Sequence, residues 1–463
     1  MSDRLSVDVC VIGDEPGGIA VASACALAAV PVAMVLDRTV RHSFATELAA
    51  FAAAAQGRIA SAFDRSGRPD FGGAIAHVRH IRRHLAAERS PARLAALGIR
   101  VLEGPASFLS ARALDAGGTT VDARRFVLAT GSRATLPAIA GLDPAMALTT
   151  DTVFDLIERP SRIAIVGGAS EGTALAQAFR RFGSEVILFE QGAILADEDP
   201  ELVLAVRQRM AAAGITVHEQ TSLTRIEGAP GDLRVSARRN GEDGSLAVSH
   251  LLFATGRQAA VEGLDLGKAG IAATPGRVEV DAGLLTANRR VFALGRSSAP
   301  EAPDEISAWH GTLVAQNCLL RRPVRLPTAA IASSTQTEPP IASVGLSGPS
   351  DRHRRSGIRV LRWPLSETAA GIATGRTAGH LKLIVSGKGQ VLGCAIAAPD
   401  AAELIGPFAL AVGKGLHVQD LAAMILPHPS LSDVGKRAAG SYLLASLSNP
   451  RIRRIIGLLR RLG

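Results

Sequence analysis

The chain alternates short, unbroken apolar runs with longer segments of helical period, the pattern of a buried parallel sheet covered by helices. Residues 7–12 form a run expected to be a fully buried strand. It leads into Gly13-Asp14-Glu15-Pro16-Gly17-Gly18, an alanine-rich helix to about residue 29, and a second strand at 32–36. The plan recurs with a strand at 163–166, the turn Gly167-Gly168-Ala169-Ser170-Glu171-Gly172, a helix through residue 182 and a strand at 186–189. Each copy is followed by an apolar strand ending in Ala-Thr-Gly. One runs from 126 to 129 into Thr130-Gly131, the other from 251 to 254 into Thr255-Gly256. Two dinucleotide-type domains in one α/β chain is the economical explanation.

Beyond Arg257 short strands return at 278–280 and 291–294, the latter running into Gly295-Arg296. Residues 323–340 are loop-like, and strands at 359–363, 380–385 and 391–397 with two helices predict a separate α+β domain. Residues 17–36 carry no charge and are long enough to span a membrane, but Gly17, Gly18 and Pro31 and the preceding strand favour a buried strand–helix–strand unit. The opening MSDRLSVD has no basic region directly followed by an apolar one, so no signal peptide is expected.

Composition narrows the function. With 463 residues, 47% hydrophobic and 20% charged, the chain has the material for several cores, which excludes disorder. Aromatic residues at 3% leave little to stack on bases, so no nucleic-acid partner is expected. The net charge of +9 is carried by arginines spread along the chain, with only five lysines among 51 basic residues. Cys10, Cys25, Cys318 and Cys394 lack metal-like spacing and are expected to be reduced core residues, which suits a cytoplasmic protein. His77, His80 and His84 share one helix face, but Arg79, Arg82 and Arg83 stand among them, so a solvated basic face is expected and no metal. The tail sets Ile452, Ile455, Ile456, Leu459 and Leu462 on one face and Arg453, Arg454, Arg460 and Arg461 elsewhere. That basic amphipathic helix could pack on protein or make peripheral membrane contact.

A glycine turn between strand and helix presents backbone N–H groups to a pyrophosphate, and an acid at the end of the next strand takes ribose hydroxyls. Gly167, Ala169 and Gly172 supply the second turn, and Glu190 stands 23 residues beyond Gly167, which favours NADH over the 2′-phosphorylated NADPH. The first turn has Gly13 and Gly18, but Glu15 takes the middle position and aims a carboxylate at the phosphates. Leu36 stands where an acid is expected, and Asp37, one residue late, is expected on the other strand face.

Together with the Thr337-Glu338-Pro339 turn before residues 341–346 and with His428-Pro429-Ser430-Leu431-Ser432-Asp433, these motifs resemble the pyridine nucleotide–disulfide oxidoreductases, and within them the dihydrolipoamide dehydrogenase and mercuric reductase branch. The resemblance implies two nested Rossmann-like dinucleotide-binding domains plus a C-terminal α+β dimerisation domain. An FAD-type domain would comprise 1–150 and 258–328, an NAD-binding domain 151–257 and the dimerisation domain 329–463. It also implies a homodimer in which hydride passes from NAD(P)H to FAD and on to a disulfide, with a His–Glu pair from the partner subunit as acid and base. His428 and Asp433 match that pair, with Asp for Glu.

The departures cluster on the flavin side. The segment 41–58, where the resemblance places a CxxxxC loop and a lysine, contains neither residue type. Ala174 replaces a glutamate, and Arg296 replaces the aspartate of a Gly-Asp pair that contacts flavin. Glu15 and Arg296, of opposite charge at sites facing one ligand, are expected to form an ion pair. Two functions follow. One is an FAD- and NADH-dependent oxidoreductase that reduces a small electron acceptor without a disulfide; the other is a non-catalytic descendant that has lost flavin and binds nucleotide or a partner.

Overall fold

A computed structural model describes residues 3–37, 44–64, 66–274, 276–300, 302, 304–326, 331–347, 357–447 and 450–461. The chain divides into two compact units, one of residues 1–167, 181–185 and 222–326, the other of 168–180, 186–221 and 327–463.

The first unit is built on a sheet in the order Arg100–Glu103, Val32–Leu36, Arg4–Ile12, Thr119–Leu128, Ala113–Ala116, Ala106–Ser110. The first four strands are parallel, and Val291–Ala293 lies parallel beside Thr119–Leu128. Ile12 aligns with both Val35 and Leu128, so three strands end together and open a crevice at their carboxyl ends. Val9, Cys10, Val11 and Ile12 are all buried, because helices and further strands cover both sheet faces. The uncharged stretch is therefore a strand, the helix Pro16–Leu27 and a strand. Helix Pro16–Leu27 packs on Asp304–Leu320 at glycines: a Cβ on Gly311 would lie 2.3 Å from the Gly17 carbonyl oxygen. A second parallel set in this unit joins Ala147–Thr149, His250–Phe253 and Arg162–Val166.

In the second unit, Ser170–Arg181 follows the second glycine turn, and Glu185–Phe189 pairs in parallel with Thr216–His218. Its C-terminal part is an antiparallel sheet in the order Ala332–Ser334, Ile341–Gly345, Val391–Ala397, His380–Val385, Arg359–Pro364. The strands expected at 380–385 and 391–397 form there. Among the described residues, the two helices expected beyond them are five: Ala401–Leu404, Gly406–Lys414, Val418–Ala422, Asp433–Leu447 and Pro450–Leu459. Turn residues at positive φ, Asp400 and Gly415, break the apolar text into short pieces.

All four cysteines are free, and burial raises the thiols of Cys10 and Cys318 to about 12 and that of Cys25 to about 11. Among the described residues no helix is long and apolar enough to cross a membrane, and no group of His, Cys, Asp and Glu could hold a metal ion.

Candidate nucleotide sites

At the second turn Gly168 is packed so closely that a Cβ would lie 2.7 Å from Ile194 and 3.0 Å from the Glu190 Cβ. The Gly168 N–H donates to one Glu190 carboxylate oxygen at 2.6 Å, and the Gly192 N–H donates to the other at 2.7 Å. Each oxygen keeps a further lone pair, so the half-buried carboxylate is oriented and still able to accept from a sugar diol. Ala169 is exposed at the start of helix Ser170–Arg181, Gly172 is buried in its first turn, and Thr173 donates its hydroxyl to the Gly168 carbonyl at 2.9 Å. Gly167 belongs to the first unit: at φ +105° a Cβ there would lie 2.2 Å from the Ala254 carbonyl oxygen. These residues fit a dinucleotide.

The first turn is different. Gly13 at φ +96° passes against the Ala129 carbonyl, and Gly18 against the Ala129 methyl, as the strand–turn–helix requires. Glu15 is fully buried at the N-terminus of helix Pro16–Leu27. Its oxygens accept the Arg296 main-chain N–H at 3.2 and 3.3 Å and the Ser307 hydroxyl at 3.2 Å. Ser307 in turn accepts the Gly17 N–H at 3.2 Å, and Pro16 has no N–H to offer. The link expected between Glu15 and Arg296 is thus made through the Arg296 backbone, while the buried side chain donates its Nε to the Ala302 carbonyl at 3.0 Å. Gly295 donates to His310 Nδ1 at 3.2 Å, and burial lowers the His310 pKa, keeping it the neutral acceptor this bond needs. Thr130 bonds Ser297 through its N–H at 3.0 Å and its hydroxyl at 3.1 Å.

Beside this buried cluster a small cleft of about 80 Å³ opens between Ile12, Gly13, Val35, Asp37, Gly104 and Thr130. Val35 and Asp37 line it and Leu36 does not, so Asp37 lies on the face opposite Leu36 as strand alternation leads one to expect.

The pyridine nucleotide-disulphide oxidoreductase model matches residues 7–310, and the dimerisation-domain model of the same name matches 331–439. The chain belongs to this family. It is 33% identical over 371 residues to a mercuric reductase of Streptomyces lividans, covering 77% of both chains. It is 30% identical over 342 residues to a dihydrolipoyl dehydrogenase of Thermus scotoductus, covering 72% of this chain and 73% of that one. A Bacillus cereus mercuric reductase is 28% identical, but only 55% of its length is covered. Among solved structures, the HOCl-induced flavoprotein disulfide reductase RclA of Escherichia coli superposes with TM-score 0.84 at 24% identity, over 94% of this chain and 99% of that one.

The pyridine nucleotide-disulphide oxidoreductases are flavoproteins with FAD- and NAD-binding Rossmann domains, and the matched dimerisation domain indicates a homodimer. The second turn of this member fits its dinucleotide. The first does not fit an FAD pyrophosphate, because the buried Glu15 carboxylate stands at the turn and holds the Arg296 N–H, while the Gly17 N–H of the helix start is taken by Ser307.

Other family positions are filled by packing. Of the segment 41–58, residues 41–43 lie outside the described residues, and Phe44–Ala55 is a helix. Phe44 stacks on Phe154, Phe51 meets Phe154 edge-on, and Phe51 also meets Phe71 and Phe182. Glu47, with a side chain 4% exposed, takes a two-pronged bond from Arg82 at 3.0 and 2.7 Å. Arg82 also reaches Asp155 at 2.8 Å, so the face expected to be a solvated basic one carries an ion pair. Ala174 is buried. His428 is exposed, and the Asp433 carboxylate bonds Arg437 one turn along its own helix, so Asp433 and His428 are not paired within the chain.

The two Ala-Thr-Gly ends are tied by a residue the sequence did not single out. Buried Arg257, following Gly256, donates to Ser132, Thr150 and Asp151 at 2.8 to 2.9 Å. Gly131 and Gly256 both take positive φ at these ends.

Proposed function

We propose that the chain binds NADH at Gly168–Gly172 and Glu190 and serves as a dimeric, nucleotide-binding member of its family in which no cysteine pair relays electrons. The observation that carries this is the Glu190 carboxylate, held by two main-chain N–H groups at the end of its strand. A 2′-phosphate there would meet like charge, which favours NADH. Bound NADH supplies a hydride. The lack of any cysteine between Cys25 and Cys318 removes the disulfide route. The nicotinamide domain would be 151–257, flanked by 1–150 with 258–328, and dimerisation would run through 329–463. Light scattering at micromolar concentration should then give a dimer.

The cleft beside Gly13 and Asp37 favours a second reading, an FAD- and NADH-dependent oxidoreductase that passes electrons from flavin to a small acceptor such as a quinone. His428 of the partner subunit would then be the acid and base, with Asp433 bonded to Arg437 instead of to it. Fluorescence titration with NADH tests the first reading. NADH oxidation by a quinone only when FAD is added would favour the second.

A further inference from the structure

We propose that Glu15 is a built-in anion that takes the place of a dinucleotide pyrophosphate and closes the first domain to FAD. A helix N-terminus and the N–H groups beside it attract an anion, and here two of those N–H groups are already engaged, one by the carboxylate and one by a hydroxyl bonded to it. Arg296 gives its N–H to Glu15 directly; Gly17 gives its N–H to Ser307, whose hydroxyl passes on to Glu15. The carboxylate also fills the space over the adjoining turn, since a Cβ on Gly295 would lie 2.5 Å from a Glu15 oxygen.

Two escapes would preserve flavin binding, and the structure disfavours both. In one, Glu15 turns out to water; it is instead fully buried, and turning out would strip its hydrogen bonds. In the other, Arg296 offers its guanidinium to phosphate; that side chain is 5% exposed and donates its Nε to Ala302. The closure has its own support on helix Asp304–Leu320: Ser307 bonds the carboxylate, His310 accepts from Gly295, and Gly311 lets Gly17 approach. Glu15 is therefore a buried link between the first turn, Arg296 and Ser307 that needs no ligand.

The inference is independent of the NADH assignment and is tested on the full-length protein by FAD titration, read from the flavin absorbance and fluorescence. Wild type should show no saturable binding at micromolar FAD. Glu15→Gly should bind at least about tenfold tighter, and Glu15→Gln, which keeps the shape and removes the charge, should gain in the same direction. Adding Arg296→Asp to Glu15→Gly should strengthen it further. Thermal unfolding followed by circular dichroism reports that each variant is folded. Stoichiometric FAD on purified wild type would overturn the proposal, as would two Glu15 variants that unfold cooperatively as wild type does and gain no flavin affinity.

Discussion

Glu190 and Gly168, 22 residues apart, are joined by a 2.6 Å hydrogen bond from the glycine N–H to the carboxylate. The bond turns a strand-end acid toward the glycine turn before any ligand arrives. Preorganisation of this kind reduces the ordering cost of binding and fixes which sugar the site accepts. At Glu15 the same chemistry has the opposite effect, because there the carboxylate itself is the ligand of the Arg296 N–H and the Ser307 hydroxyl.

Helix Phe44–Ala55 should depend on Glu47. Removing it takes the two-pronged bond from the Arg82 guanidinium, which is a quarter exposed and keeps only Asp155. Glu47→Ala is expected to destabilise the fold by about 1.5–3 kcal/mol, the range for hydrogen bonds to a charged group. Urea unfolding checks this, and a change within error would show that the phenylalanine contacts alone hold the helix.

Acid stability should depend on Glu201. Hydrogen bonding from Arg362, with Lys382 adding, holds its carboxyl near 2 against an ordinary 4.5. A depressed folded-state pKa contributes stability above pH 4.5, lost as the pH falls from there through about 2. Glu201→Gln should therefore flatten the acid limb of a melting-temperature profile in that window and leave its slope at neutral pH unchanged.

The tail helix Pro450–Leu459 leaves Ile455, Leu458 and Leu459 more than half exposed, with Arg453 and Arg454 also on its surface; Leu462 lies outside the described residues. If a lipid surface covers it, sedimentation with anionic liposomes should fall on deleting residues 449–463, and neutral liposomes should bind neither form. Equal sedimentation of the two forms would leave the face to protein packing.

Much of the fold was legible because its strands are buried on both sides, so they stand out as unbroken apolar runs such as 32–36. Glu190 was legible for a related reason: its place is set by a strand end and a fixed span. The partners of Glu15 were not. Ser307 lies 292 residues away, and the Arg296 contribution is a main-chain N–H, which no side-chain pattern announces. Arg82 was hidden by its basic neighbours, since its acid comes from another helix.

Calorimetric titration of the wild type and Glu190→Ala with NADH and with NADPH tests the central claim most directly. The account predicts that wild type binds NADH tighter than NADPH by about tenfold, and that Glu190→Ala loses most of that difference. NADPH binding to wild type as tightly as NADH, or an unchanged preference in Glu190→Ala, would contradict it.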